Sequence, residues 1–322
     1  MKILIAEDDA LSRMMLEKSL QRAGYEVTSV NDGMRALEEL AKEDPPRLAL
    51  LDWVMPRKDG VEVCRELRRR IDKAYTYLIL LSSKESKQEI VQGLESGADD
   101  YLTKPCDNEE LKARLRAGER ILELEDRLVE ARESMRFQAT HDLLTSLWNR
   151  GVIVDLLSRE IHRSCREKTC TVVMLCDIDH FKLVNDQHGH VTGDDVLREV
   201  ARRLQHSVRS YDMVGRYGGE EFLVILNSCE PSSAMLRAEN LRATISAKPI
   251  QTRSISLPLT ISIGVALSSD FATREADDII QEAEAALYAA KAAGRNCVKM
   301  ARPRQASGET EDPQRETTSL TT

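Results

Sequence analysis

Five short apolar runs separated by amphipathic stretches in the first 105 residues constrain this chain more than any other feature. Lys2–Ala6, Glu26–Val30, Leu48–Leu51, Tyr77–Leu81 and Asp100–Thr103 read as strands, and the four segments between them carry a helical pattern. Strands separated by helices of that length build βαβ units, so the spacing predicts an α/β domain with a doubly wound parallel sheet. Ligand sites of such sheets lie beyond the carboxyl ends of the strands, which singles out residues before any comparison is made.

Those ends carry chemistry. Glu7, Asp8 and Asp9 follow the first strand, Asp52 ends the third, Ser82 ends the fourth, and Lys104-Pro105 closes the fifth. Carboxylates gathered at one sheet edge repel one another unless a hard cation such as Mg2+, which takes oxygen ligands, lies among them. An aspartate in that setting can attack a phosphoryl donor, and a fixed lysine can neutralise the product. The runs Ile3–Asp9, Leu50–Pro56, Asp59-Gly60 and Gly97–Tyr101, with Ser82 and Lys104-Pro105, resemble the receiver domain of bacterial response regulators over residues 1–120. The resemblance implies a flavodoxin-like fold with Asp52 as phosphoacceptor. It implies that Glu7, Asp8, Asp52 and the Val54 carbonyl hold Mg2+, and that Lys104 pairs with the phosphoryl oxygens. Ser82 and Tyr101 become the switch pair, and a cis bond is expected before Pro105. The implied partner is a cognate sensor histidine kinase or phosphotransfer protein. Asp9 is a neighbour of the site rather than a ligand.

Residues 107–140 contain no proline and one glycine, Gly118, and are rich in charge. They read as one long helix. Ala117, Ile121, Leu124, Leu128, Ala131 and Met135 are spaced 4, 3, 4, 3 and 4, a coiled-coil-like heptad seam shorter than three heptads. A parallel dimer seam is the preferred reading, because the helix leaves one domain and must reach another. The alternative is a helix lying along its own domain.

The second domain is expected over residues 141–300, with strands at Thr171–Cys176, Glu221–Leu226 and Leu259–Leu267. Helical patterns fall at Val152–Cys165, Val191–Arg209, Ser232–Ser246 and Asp277–Ala293. Mixed order and a Gly-Gly hairpin signal predict an α+β domain with antiparallel pairs. Asp177-Ile178-Asp179-His180-Phe181-Lys182 follows the first of these strands, and Asn185-Asp186, Gly189-His190 and Gly193-Asp194 come next. The Gly-Gly of Arg216–Phe222 removes two side chains at a strand entrance, and Glu220 is delivered to that gap. Carboxylates from two strands sharing a metal are what phosphoryl chemistry requires. His141-Asp142 alone resembles a metal-hydrolase dyad, but no further ligands of that pattern follow.

Together these segments, with Asp142–Arg150 at the opening and Ala289–Asn296 at the exit, resemble the GGDEF family of diguanylate cyclases in its Gly-Gly-Glu-Glu-Phe form. The resemblance implies a palm-like nucleotide cyclase fold in which two GTP molecules condense into cyclic di-GMP with release of two pyrophosphates. It assigns Mg2+ to Asp177, Glu220 and the Ile178 carbonyl. Glu220 becomes the group that activates the 3′-hydroxyl, and Glu221 supports metal or base. Lys182, Lys291 and Arg295 neutralise the triphosphate, and Gly218 and Gly219 flank the substrate. Asn185 and Asp194 read the guanine edge, while His190 touches the nucleotide or caps a turn. Arg209 and Asp212 match an Arg-x-x-Asp product-inhibition site. Asn240 stands where some product-inhibited members carry arginine, with Arg237 and Arg242 nearby.

Composition narrows the remaining classes. Forty-six basic against 54 acidic residues give a net charge of −8, which opposes a sequence-independent nucleic-acid binder. No apolar run approaches the ~20 residues needed to cross a bilayer, and three carboxylates arrive before a signal-peptide core could form. A cytoplasmic protein is expected, with neither DNA nor membrane as partner. Its seven cysteines lack any Cys-x-x-Cys pair and read as reduced thiols. The polar stretch 301–322 reads as a disordered tail. The expectation is a phosphorylation-controlled diguanylate cyclase, working as a homodimer or higher oligomer because neither active site completes the product alone. An inactive domain that only senses GTP or cyclic di-GMP is the runner-up, disfavoured because the signature residues are intact.

Overall fold

A computed structural model describes residues 1–70, 74–83, 86–268 and 275–301; the expected tail lies outside the described residues except for Ala301. The chain divides into two compact units, Met1–Ser134 and Met135–Thr322.

The first unit runs β1 (Lys2–Ala6), α1 (Ala10–Arg22), β2 (Glu26–Val30), α2 (Gly33–Glu39), β3 (Leu48–Asp52), α3 (Gly60–Arg68), β4 (Tyr77–Ser82), α4 (Lys87–Glu95), β5 (Asp100–Thr103) and α5 (Asn108–Thr140). All five strands are parallel, in the order β2-β1-β3-β4-β5. This is the doubly wound sheet that the apolar runs predict. β3 and β4 are buried along their whole length, as strands covered on both faces must be. Period-two alternation divides the core: Leu4, Ala6, Ala49 and Leu51 face one layer, while Ile3, Ile5, Leu48 and Leu50 face the other. Asp9, Asp32, Asp59 and Ser86 each accept a backbone N–H as helix N-caps, so the helices begin where the sheet's loops deliver a short polar side chain.

α5 serves two faces. Leu111, Leu115 and Leu122 are buried in the first unit's core, whereas Ile121, Leu124, Leu128, Ala131 and Met135 of the heptad seam are exposed. The first half of the helix, to Leu122, therefore packs on its own domain through a face one step round from the seam.

The second unit contains α6 (Arg150–Glu167), β6 (Val172–Ile178), α7 (Phe181–His188), α8 (His190–Ser207), β7 (Met213–Arg216), β8 (Glu221–Leu226), α9 (Pro231–Ser246), β9 (Ile250–Gln251), β10 (Ser256–Leu257), β11 (Ile261–Leu267), α10 (Ala276–Ala292) and β12 (Val298–Met300). Its five-stranded sheet has the order β12-β11-β6-β8-β7, antiparallel except for the β11–β12 pair. Val172, Met174, Cys176 and Ile178 face α8 and α9; Val173 and Leu175 face α6 and α10. The short strands β7, β9, β10 and β12 and the helix α7 are absent from the sequence reading. Each is too brief or too polar for periodicity to register.

Arg203 of α8 shows how an end is closed. Its guanidinium donates to the Ile245, Lys248 and Pro249 carbonyls at 2.8, 2.6 and 3.0 Å, satisfying groups left open at the C-terminus of α9. Glu199 holds it at 2.8 Å. The bond from Arg202, then that from Arg203, outweigh burial and hold the Glu199 carboxyl down to about 2. A depressed carboxylate stabilises the fold at neutral pH and loses that contribution as pH falls through its folded-state value. Glu199→Gln is therefore expected to melt below the wild type at pH 7, with the gap narrowing as thermal unfolding is repeated toward about pH 3.

Candidate functional site

In the first unit, the ends of β1, β3 and β5 bring Glu7, Asp52 and Lys104 together. Lys104 Nζ lies 2.6 Å from Glu7 Oε2 and 2.8 Å from Asp52 Oδ2. Glu7 is buried, and that burial raises its carboxyl despite the lysine; the charge on Asp52 raises it further. Among the described residues, Glu7, Asp8 and Asp52 are the one carboxylate trio whose ligand atoms lie within 4.8 Å of one another. Three such oxygens, two of them paired with Lys104, are a donor set that fits Mg2+. Arg13 of α1 donates to the Glu7 carbonyl at 2.6 Å and the Asp8 carbonyl at 3.2 Å, setting the loop from below. Asp9 caps α1 through Ser12 N at 2.7 Å and takes no part in the trio. The Val54 side chain is exposed at the rim. Ser82 is buried at the end of β4, and the Lys104–Pro105 bond is cis. Tyr101 is already inward, edge-on to Trp53 at 6.2 Å.

In the second unit, β6 and β8 pair so that Asp177 stands opposite Glu221, and Ile178 N donates to the Glu220 carbonyl at 3.3 Å. The turn between β7 and β8 carries Gly218 and Gly219. Burial, and then the charge of Asp177, push the Glu220 and Glu221 carboxyls upward. Asp177 is raised by its own burial although Lys291 Nζ stands 2.6 Å from Oδ2. A buried and two half-buried carboxylates repelling one another beside a backbone carbonyl fit a hard divalent cation. A cleft of about 390 Å³ opens there, lined by Asp177, Ile178, Lys182, Glu220, Lys291 and Arg295 among others. A Cβ at Gly219 would meet nothing within 4 Å, so no protein group explains that glycine. A Cβ at Gly193 would lie 1.9 Å from Asn185 Oδ1, so any larger residue there would displace the Asn185 side chain. That same oxygen is buried without a hydrogen-bond partner, an acceptor a ligand N–H would complete. Asp194, the residue after Gly193, is half-buried, and His190 is exposed at the start of α8.

Asp179, which shares the Asp-x-Asp of β6, turns inward. It accepts from Thr260 Oγ1, Ser262 Oγ and Asn296 N at 2.6, 2.7 and 3.0 Å and pins strand ends together.

Residues 139–297 match the diguanylate cyclase GGDEF domain and residues 3–116 the response regulator receiver domain. The crystal structure of the coiled coil and GGDEF domain of DgcB from Caulobacter crescentus, in complex with c-di-GMP, covers 59% of this chain and 99% of that one. Its identity is 34% and its TM-score 0.52. The chain belongs to the GGDEF family of diguanylate cyclases. Ahead of its GGDEF domain stands a response regulator receiver domain. Response regulator PleD of Caulobacter vibrioides is 31% identical over 300 residues, 92% of this chain; the chain spans 65% of PleD's length. Diguanylate cyclase A of Treponema denticola is 39% identical over 166 residues, 51% of this chain and 44% of that protein.

In this GGDEF domain the residues before α6 do work that the sequence reading did not assign. Arg216 donates to the Gly219 carbonyl at 3.1 and 2.7 Å and to Asp142 at 3.2 and 3.1 Å. Burial alone would raise the Asp142 carboxyl, but Thr145 and Arg216 hold it below its usual range. Asn149 accepts from Val152 N as the N-cap of α6 and donates its amide to the Ala139 carbonyl at 2.8 Å, joining two helix ends. His141 stacks between Phe137 and Trp148 at 4.3 and 4.4 Å, a packing role rather than a metal ligand's. The one available signal was the Asp142-x-x-Thr145 turn pattern.

The Arg-x-x-Asp pair lies in one turn. Asp212 is almost wholly enclosed: it accepts Arg209 N, Asn227 N and Arg237, so it holds the turn, while the Arg209 side chain reaches out beside the Tyr211 ring. Of the two nearby arginines, Arg237 reaches this site; Arg242 bonds Glu239 and Asn296. All seven cysteines are free thiols. No helix among the described residues is long and apolar enough to cross a membrane.

Proposed function

We propose that the protein is a phosphorylation-regulated diguanylate cyclase, condensing two GTP into cyclic di-GMP with release of two pyrophosphates. The cleft carries this reading: the buried Asp177 and the half-buried Glu220 line one opening with three cations, Lys182, Lys291 and Arg295. Glu220 accepts the proton of the 3′-hydroxyl; that oxygen bonds the α-phosphorus of the second GTP as the bond to pyrophosphate breaks. Lys182, Lys291 and Arg295 take up the charge on the departing phosphates. Bound Mg2+, held by Asp177, Glu220 and the Ile178 carbonyl, would neutralise the phosphate oxygens. Guanine offers N–H donors where Asn185 and Asp194 offer acceptors, whereas adenine presents an acceptor at N1 and would leave them unpaired. The cyclic di-GMP bound to DgcB supports this substrate class.

Two bonds form between two nucleotides, so two copies must meet face to face. The exposed seam Ile121, Leu124, Leu128 and Met135 supports a homodimer. Asp52 is the phosphoacceptor, with Lys104 to pair with the phosphoryl group and Ser82 and Tyr101 as the switch behind it. The donor is a sensor histidine kinase or a phosphotransfer protein. Arg209, held in its turn by Asp212, and Arg237 form the product-inhibition site, which lacks an arginine at Asn240.

The test is turnover of GTP and Mg2+ by the full chain, with and without beryllofluoride as phosphoryl mimic, products resolved by chromatography and mass. Cyclic di-GMP should rise with the mimic, and Asp52→Asn should remove the rise but keep basal product. Absence of product in both conditions, with cyclic di-GMP binding retained, would leave a receptor in place of an enzyme.

A further inference from the structure

α10 buries Ile279, Ile280, Ala283, Ala286, Leu287 and Ala290, and beside that face runs a second stripe, Glu284, Tyr288 and Lys291, spaced 4 and 3. One end of the stripe touches the end of β6 and the other the turn between β7 and β8. Lys291 reaches Asp177 at the end of β6, and Glu284 accepts from the Tyr217 hydroxyl, 3.5 Å away, directly before Gly218. Tyr288 stands between them with 76% of its surface exposed, the most exposed of the seven tyrosines. No described residue hydrogen-bonds its hydroxyl, and its ring packs into no cluster of the core. In a chain with 4% aromatic residues, an unburied ring on the helix face whose neighbours, Glu284 and Lys291, touch the hairpin and Asp177 is placed for something outside the protomer.

The cations Lys182, Lys291 and Arg295 claim the triphosphate end of the cleft. In-line displacement brings the attacking oxygen from the side opposite the leaving pyrophosphate. The incoming guanosine, carried by a second copy of the chain, would approach from the side away from those cations, and on α10 the stripe leads from Lys291 through Tyr288 away toward the hairpin at Tyr217. We propose that the Tyr288 ring packs against that incoming guanosine and positions its 3′-hydroxyl for attack. A flat, uncharged ring suits a sugar and base face, and stacking tolerates the sliding approach of two copies. The inference rests on the two-GTP condensation argued above.

The experiment compares Tyr288→Ala, Tyr288→Leu and Tyr288→Phe with the wild type in the full chain, under beryllofluoride. Two readouts are taken: kcat for cyclic di-GMP, and the Kd of a non-hydrolysable GTP analogue at protein concentrations where the chain is monomeric. Alanine and leucine should lower kcat about tenfold, phenylalanine should restore it, and Kd should stay within about twofold throughout. Unimpaired kcat in Tyr288→Ala, or a loss of analogue affinity matching the loss of kcat, removes this inference alone. A wild type that makes no cyclic product removes the cyclase reading and this inference with it.

Discussion

Glu220→Gln should reduce cyclic di-GMP formation by at least about 10³-fold, since under the proposed mechanism one substitution removes both the proton acceptor and a ligand of the charge-neutralising cation. Burial and the charge of Asp177 already raise the Glu220 carboxyl. A carboxyl raised in the folded state contributes stability below its unfolded value and loses it as pH rises through the folded one, so at pH 7 without metal Glu220 opposes folding. The glutamine variant is accordingly expected to melt higher than the wild type in a metal-free buffer at pH 7, and to melt no higher near pH 4. Product assays and melting curves on one preparation check both. Turnover near the wild-type value would show that another group accepts the proton, with Glu221 the neighbour to examine.

Arg216→Ala is expected to lower kcat about 10²-fold while the KM for GTP moves little. The Gly218-Gly219 turn has no side chain to pack. Backbone bonds from Tyr217 N and Gly218 N to the Glu221 carbonyl close it, and Arg216 alone among the described side chains grips the Gly219 carbonyl. Freed from that grip, Glu220 samples positions an ångström or more from its productive one. Asp142→Asn should give a smaller loss, and the double variant should lose less than the two added together, because both act through the same guanidinium. Steady-state kinetics of the three variants decide it; strictly additive losses would mean that Asp142 and Arg216 act apart.

The receiver site was legible because a parallel sheet sends all its strands' carboxyl ends to one edge. Knowing that Lys2–Ala6, Leu48–Asp52 and Asp100–Thr103 are strands suffices to gather Glu7, Asp52 and Lys104. The candidate cyclase site was legible for a different reason: a Gly-Gly turn and an acidic strand end are each common, but together with the opening and exit segments they match one family pattern. Asp179 was less legible, since its pattern is that of Asp177, and only the approach of Thr260, Ser262 and Asn296 shows it to be a buried tie. Strand β7 escaped notice at four residues, although it carries Arg216.

What the sequence determined by itself was the period of each long element, the caps that start the helices, and the residue types at strand ends. These depend on neighbours within a turn or two of chain. What tertiary structure decided was partnership across distance. Arg216 and Asp142 are 74 positions apart, Lys104 and Glu7 are 97, and Asp179 and Asn296 are 117. Such pairs form because burial leaves a charge or a carbonyl that must be satisfied by whatever the packed sheet brings near. The two sides of α5 show the same division: periodicity wrote both apolar faces into the chain, and only packing against the first unit's core settled which one is covered.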